Sequence, residues 1–169
     1  EVIGRNNSVT GNQILGSSTM TAGIIFNDSS NSVCSGNVID GFLTSSSGVG
    51  IHIISDDAAL CEGVAVVGNA VRFSVGGAGR GIWLQSNNAS GSVNYSVVSG
   101  NAVYGTSATG SRGLAISQDA GTAARCSFIG NAVYNVDNGI AIGQAGIQLI
   151  QGFNNFASIN VSNGGGIPV

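Results

Sequence analysis

Short apolar runs alternate with small and polar residues along the chain, and two phrases return at nearly constant intervals. The first is a small residue or two, then Gly-Asn, then a short apolar run. Its asparagines are 25, 32, 32 and 30 residues apart, at Asn12, Asn37, Asn69, Asn101 and Asn131. The second is Gly followed by apolar residues at alternate positions, beginning at Gly23, Gly50, Gly81, Gly113 and Gly139. Repetition with a period of roughly 20 to 50 residues indicates a repeat architecture.

The apolar positions fall into columns when the repeats are aligned. The residues two places after the asparagines are all β-branched: Ile14, Ile39, Val71, Val103 and Val133. The residues one place after the glycines of the second phrase are Ile24, Ile51, Ile82, Leu114 and Ile140. Alternation of this kind predicts strands, and no segment carries a helical period. We therefore predict at least three short strands in each repeat, with their apolar residues pointing into one core.

Stacked repeats of this kind give a solenoid of parallel strands, in which equivalent residues lie about 4.8 Å apart. The asparagine amides can then bond to the asparagines above and below, so that a buried polar ladder is satisfied. Asparagine also tolerates left-handed backbone angles, and the glycine before it permits a tight corner.

Three polar stretches vary in length between the repeats. They run from Ser55 to Glu62, from Ser86 to Asn94 and from Gln118 to Arg125, and are rich in Ser, Asn, Asp and Ala. We predict that they are loops leaving the coil at one corner, because insertions in solenoids cluster on one face.

The composition narrows the functional classes. Charged residues make up 8% of the 169 residues, lysine is absent and the net charge is −3. We expect no nucleic-acid partner, because phosphate binding needs many Lys and Arg residues. No run of 18 apolar residues is present, so we expect no membrane span. The chain starts at Glu1 without a visible signal peptide, and we expect a mature product or a piece of a longer polypeptide.

Three cysteines are present, Cys34, Cys61 and Cys126, without metal-ligand spacing. We predict that they are small buried hydrophobic residues, with a single disulfide as the alternative.

The Gly-Asn-x-Ile/Val and Gly-Ile-x-Leu/Ile phrases, from about Ile3 to Leu149, resemble the right-handed parallel β-helix repeat. This family includes pectate-lyase-like enzymes, polygalacturonase-like glycosidases, alginate epimerases and bacteriophage tailspikes. The lack of lysine, the abundant Gly, Ser and Asn, and the polar corner stretches are most similar to a tailspike or a related polysaccharide-degrading protein. The Asp-rich motifs of the polygalacturonase-like enzymes are absent, as is the lysine of several pectate-lyase-like enzymes. The resemblance therefore transfers no catalytic residue.

These observations predict one all-β domain over residues 1–169, a right-handed parallel β-helix of five to six coils with an asparagine ladder. Residues 152–169 are expected to form an irregular last coil or tail. Both ends of such a solenoid expose strand edges and need caps or neighbours. We expect a homo-oligomer, with a trimer favoured by the resemblance, or the remainder of a longer chain.

The first candidate site lies on the outer face of the Gly-Ile strands. The only His and the only Trp, His52 and Trp83, occupy one outward column, and Trp is a flat apolar platform for a sugar ring. Arg80 and Arg112 stand at one edge of this face and can hold a carboxylate or sulfate of an acidic sugar. A subunit interface or a loop-covered apolar cluster is the alternative.

Acidic residues stand at the other edge of the same face. Asp56 and Asp119 each lie six residues after their repeat glycine, so two coil steps of about 4.8 Å separate them. The resulting separation is close to the roughly 6.5 to 9.5 Å between the acid and base of an inverting glycosidase. The alternative is that both are solvated turn residues.

A second outward column, three residues after each asparagine, contains Leu15, Asp40, Arg72, Tyr104 and Tyr134. It predicts a saccharide groove in which Arg72 binds an acidic group and the tyrosines are platforms. A surface ion pair with stacked tyrosines is the alternative. Arginine acts as the base in some lyases of this fold, so the resemblance makes Arg72 and Arg80 lyase candidates.

The sequence contains no nucleophile elbow, phosphate-binding loop, zinc motif or calcium loop, and we expect no cofactor and no metal. The predicted function is binding and depolymerisation of a bacterial surface or other acidic polysaccharide, by a hydrolase or lyase. The predicted location is extracellular or virion-associated. The alternative is a non-catalytic structural or oligomerising segment.

Overall fold

The structure is a computed structural model that describes residues 1–17, 20–42, 48–57, 59–73, 79–105, 109–142, 148–151, 156–157 and 161–163. Secondary structure in this part of the chain consists of strands alone, and all of their pairings are parallel. The strands form three sheets along one solenoid, so the predicted all-β parallel solenoid is confirmed.

Within the described residues, sheet A contains seven strands. In spatial order they are β1 (Val2–Arg5), β4 (Ala22–Ser30), β7 (Val49–Ser55), β11 (Arg80–Ser86), β15 (Arg112–Gln118), β18 (Asn138–Ile142) and β21 (Val161–Asn163). The part of sheet C that the structure describes has six strands: β3 (Gln13–Leu15), β6 (Val38–Phe42), β10 (Ala70–Phe73), β14 (Ala102–Tyr104), β17 (Ala132–Tyr134) and β20 (Phe156–Ala157).

Sheet B is built from two rows of strands joined by one long strand. One row is β2 (Ser8–Thr10), β5 (Val33–Ser35), β9 (Ala65–Val67) and β13 (Val97–Ser99), and the other is β8 (Leu60–Glu62) and β12 (Ser92–Asn94). Both rows pair with β16 (Thr122–Ile129), which also pairs with β19 (Gln148–Gln151).

The second row of sheet B corrects the sequence analysis. The stretches from Ser55, Ser86 and Gln118 were expected to be loops, but each contains a strand that continues the coil. The second residue of each strand, Cys61, Val93 or Ala123, is fully buried. Polar residues dominate these stretches, so a single inward residue among them leaves little periodic signal.

The aligned apolar columns form the core. The residues two places after the asparagines, from Ile39 to Val133, are buried, while Ile14 at the end of the solenoid is only partly buried. The three cysteines lie in the same core and are free, as the prediction of small buried hydrophobic residues requires.

The glycine of the second phrase is required by close packing between sheets A and C. A Cβ atom on Gly50, Gly81 or Gly113 would collide with a valine of sheet C and with the next repeat glycine's carbonyl oxygen. The β-branched column after the asparagines therefore fills the space that these glycines leave open.

The corner before each asparagine is made by the glycine and not by the asparagine. Gly11, Gly36, Gly68, Gly100 and Gly130 have φ between +62° and +67°. The asparagines that follow are not among the described residues with positive φ, so the left-handed angle that asparagine tolerates is taken here by the glycine alone. Glycine takes this angle at no steric cost, which leaves the asparagine side chain free to turn inward.

Consecutive asparagines of the first phrase are hydrogen bonded to each other. Each Nδ2 donates to the Oδ1 of the next asparagine over 2.9–3.0 Å, from Asn12 through Asn37, Asn69 and Asn101 to Asn131. Each Oδ1 also accepts the backbone N–H of the preceding asparagine. Four of the five side chains are buried, and Asn12 is exposed.

Candidate functional site

An open groove lies on the outer face of sheet C. Strand pairing aligns the column Leu15, Asp40, Arg72, Tyr104 and Tyr134 as the sequence predicted. The side chains of Asp40, Arg72, Tyr104 and Tyr134 project beside a row of shorter ones. Together with Val38, Ala70 and Ala102 they line a cavity of about 370 Å³. The short residues lie one place after each asparagine. Because adjacent coils stack in register, these small side chains lie side by side and form the floor of the groove.

The groove combines a cation, an anion and two aromatic rings. Arg72 Nε lies 3.9 Å from Asp40 Oδ1, with side-chain exposures of 68% and 44%. Such an exposed pair contributes under about 1 kcal/mol, so both groups remain accessible to a ligand. Tyr104 and Tyr134 are exposed in the adjacent coils. The groove is therefore apolar along its floor and charged at one end.

The outer face of sheet A contains a second cluster, around Trp83. The His52 and Trp83 rings stack with centroids 4.5 Å apart and an interplanar angle of 3°. The Arg80 guanidinium lies 3.8 Å from the Trp83 ring centroid, and Trp83 Nε1 donates to Ser117 Oγ over 2.9 Å. The structure thus brings together the predicted residues His52, Trp83 and Arg80.

This second face is less exposed than the sequence suggested. Ala115 and Ala141 follow Trp83 in the outward column, yet they are almost fully buried. An alanine side chain ends at Cβ, so larger neighbours in the stacked coils shield it. His52, Trp83 and Arg80 are half-buried.

The pKa values of this cluster are lowered by its surroundings. Burial lowers the pKa of His52 to about 4, with a further lowering by the nearby Arg80 charge and an opposing effect of its hydrogen bond to Gln85. Burial also lowers the pKa of Arg80, and the charge of Arg112 acts in the same direction. Arg112 pairs with Arg80 in the strand register, as predicted.

The two predicted acids each contact an amide side chain. Asp56 Oδ1 accepts a hydrogen bond from Asn87 Nδ2 over 2.7 Å, and Asp119 accepts one from Gln85 Nε2. Asp28 accepts the backbone N–H groups of Asp56 and Asp57, which fixes the turn that carries Asp56. The assignment of Asp56 and Asp119 as a catalytic pair stays a prediction.

Sequence reasoning missed Gln85, which is 6% exposed and bonds to both His52 and Asp119. The sequence does contain one indication of its position. Side chains in a strand alternate between the two faces, so residue 85, two places after Trp83, faces outward as Trp83 does. Reasoning from sequence also missed a corner pair, Tyr95 and Arg125, that takes left-handed angles of +53° and +57°. The Arg125 guanidinium lies 5.3 Å from the Tyr95 ring centroid and donates to its hydroxyl.

Among the described residues, no group of three or more His, Cys, Asp and Glu side chains is arranged to hold a metal ion. In the same part of the chain, no helix is long and apolar enough to cross a membrane. Comparison of the sequence with protein-family models, with curated proteins and with solved structures found no match.

Proposed function

We propose that this protein binds an acidic polysaccharide along the sheet C groove. The observation that supports this proposal is the alignment of Arg72, Tyr104 and Tyr134 on adjacent strands beside a floor of small residues. Exposed tyrosines offer apolar faces for sugar rings and hydroxyls for hydrogen bonds. The Arg72 guanidinium matches a carboxylate or sulfate, and the absence of lysine makes it the available cation of this groove.

The fuller proposal is a right-handed parallel β-helix of five to six coils, similar to the pectate-lyase-like family and to tailspikes. The asparagine row acts in it as a ladder that holds the coils in register. The protein would act as a trimer or within a longer chain, at an extracellular or virion-associated location. Depolymerisation by a lyase would use Arg72 as base in the sheet C groove. Depolymerisation by a hydrolase would use Asp56 and Asp119, which directly follow strands of sheet A, and would therefore take place on that face.

A second candidate function is that of a non-catalytic oligomerising segment. Leu15 and Val38, at one end of the sheet C face, are 70% and 46% exposed. Exposed apolar residues in one patch are typical of an interaction surface. In that case Tyr104 and Tyr134 would contact a neighbouring subunit.

The test is binding of a panel of bacterial capsular and O-antigen polysaccharides. We expect Tyr104→Ala with Tyr134→Ala to weaken binding about ten-fold or more, since each aromatic contact contributes about 0.5–1.5 kcal/mol. Tyr95→Asn removes an exposed tyrosine outside the groove and should leave the affinity unchanged. If no polysaccharide binds, or if both changes act equally, the groove is not the site.

The reaction is distinguished by its products. New reducing ends without ultraviolet absorbance of unsaturated uronates would indicate a hydrolase, whereas both signals together would indicate a lyase. Binding without either product would leave a recognition role. A concentration-dependent oligomer that Leu15→Lys dissociates, without any glycan binding, would favour the oligomerising function.

A further inference from the structure

Gln85 connects two side chains across three adjacent strands of sheet A. It lies on β11, between His52 on β7 and Asp119 directly after β15. Gln85 Oε1 lies 2.9 Å from His52 Nε2, and Gln85 Nε2 donates to a carboxylate oxygen of Asp119. Gln85 is buried, and both the oxygen and the nitrogen of its amide have a hydrogen-bond partner within the protein.

The chemistry of these three groups determines where the His52 proton lies. An ionised carboxylate only accepts hydrogen bonds, so the amide nitrogen of Gln85 must face Asp119 and the amide oxygen must face His52. An amide oxygen also only accepts, so His52 must donate from Nε2. Burial lowers the pKa of His52 to about 4, and the ring is therefore neutral at pH 7.

The other ring nitrogen, Nδ1, is then a free acceptor. It makes no hydrogen bond to a described residue, and it is not among the buried polar atoms that lack a partner. Nδ1 therefore reaches solvent on the outer face of sheet A. The charges that act on His52 or on Arg80 come from two cations, Arg80 and Arg112, and from two anions, Asp56 and Asp119.

We propose that the outer face of sheet A is a second ligand site, in which Gln85 positions His52 so that Nδ1 accepts a hydrogen bond from a hydroxyl of a neutral sugar ring. The balance of two positive and two negative groups favours an uncharged ligand over an acidic one. This site differs from the sheet C groove, where Arg72 is suited to an anionic group. The ligand class rests on the proposed saccharide function, whereas the state of His52 does not.

The state of His52 is tested by nitrogen-15 NMR of the imidazole at pH 7, where one histidine gives one unambiguous signal set. We expect the Nε2–H tautomer in the unmodified protein and a tautomer mixture in Gln85→Leu. Asp119→Asn retains an acceptor and should keep the tautomer, whereas Asp119→Ala frees the amide and should weaken the preference. Because Asp119 is exposed, these two variants remain informative if Gln85→Leu does not fold. An Nδ1–H tautomer in the unmodified protein overturns the proposal.

Ligand binding is tested with methyl glucoside, titrated against both the His52 Nδ1 chemical shift and Trp83 fluorescence. We expect a saturable response that is about five- to ten-fold weaker in Asp119→Ala, as loss of one orienting hydrogen bond implies. A linear, unsaturable response overturns the site. Tyr104→Ala with Tyr134→Ala should leave this response intact. Failure of polysaccharide binding at the groove is therefore distinguishable from failure here.

Discussion

At the residue scale, the glycine of the second phrase is a packing requirement. A Cβ on Gly81 would collide with Val103 Cγ1 and lie 2.6 Å from the carbonyl oxygen of Gly113. Backbone cannot move aside as a flexible side chain can, so the neighbouring coils would have to separate. The same contacts recur at Gly50 and Gly113, which explains why the phrase keeps this glycine.

We expect Gly81→Ala to lower the free energy of unfolding by about 1–3 kcal/mol, the usual cost of overpacking. The matched control is Gly100→Asn. Gly100 has φ of +62° and open space around its Cβ position, and asparagine tolerates that angle, so the control should cost under about 1 kcal/mol. Urea denaturation of both variants checks this, and equal losses would contradict the packing argument.

At the element scale, the asparagine row joins the coils through groups that water cannot reach. Asn69 donates to the Cys34 carbonyl and to Asn101 Oδ1, and its own Oδ1 accepts from the backbone and side chain of Asn37. Asn12, at the exposed end of the row, donates to Asn37 but no described residue donates to its Oδ1.

We expect Asn69→Ala to lower the free energy of unfolding by about 3–5 kcal/mol, since several buried partners each lose a hydrogen bond. Asn12→Ala is the matched control, and it should cost about 1 kcal/mol because water can replace the lost side chain. Chemical denaturation gives both values. A loss at Asn69 no larger than that at Asn12 would show that the row does not stabilise the solenoid.

Strands could be predicted from the sequence where the same apolar positions recur in each repeat. Strands without such recurring positions could not be predicted. The columns of Ile39 and Ile51 recur in each coil, so alignment alone identified the inward faces and the outward column of Arg72. The strand around Val93 has one inward residue among polar ones, so its sequence alone predicts a loop. A short strand of this kind forms because its neighbours in the stack supply hydrogen bonds, and that contribution is invisible in its own sequence.

The candidate sites, too, could be predicted only in part from the repeat register. The register placed His52 beside Trp83 and Arg72 beside Tyr104, because pairing partners follow from the repeat length. It did not reveal the Gln85 bridge, because which amide atom faces which partner depends on side-chain geometry across three coils. The register also did not reveal that Ala115 is buried. The alternation of side chains along a strand gives the direction in which a side chain points and not its exposure.

At the scale of the whole molecule, three buried thiols couple stability to alkaline pH. Burial raises the pKa of Cys34 and of Cys61 from 9.0 to about 12, and that of Cys126 to about 11. All three belong to the core and have no exposed surface. Ionisation of a thiol therefore requires loss of the core packing around it.

The direction of the effect follows from the raised pKa values. Below pH 9 both states keep the thiol proton, so the contribution to stability is fully present. Above pH 9 the unfolded chain releases protons that the folded protein retains, so stability falls as pH rises toward the folded pKa values of about 11 to 12. For three thiols the loss at pH 10 is about 4 kcal/mol, at about 1.4 kcal/mol per pH unit for each group.

We therefore expect the urea midpoint to drop steeply as the pH rises from 9 towards about 11, with thiol labelling that tracks unfolding. The variant Cys61→Ala removes one of the three groups and should reduce the pH-dependent part of the loss by about one third, whatever its effect at pH 7. A midpoint that stays constant over this range, or rapid labelling of the native protein, would mean that the thiols are not held in a closed core. Because Cys34, Cys61 and Cys126 come from separate coils, the labelling pattern also reports whether the solenoid opens as one unit or coil by coil.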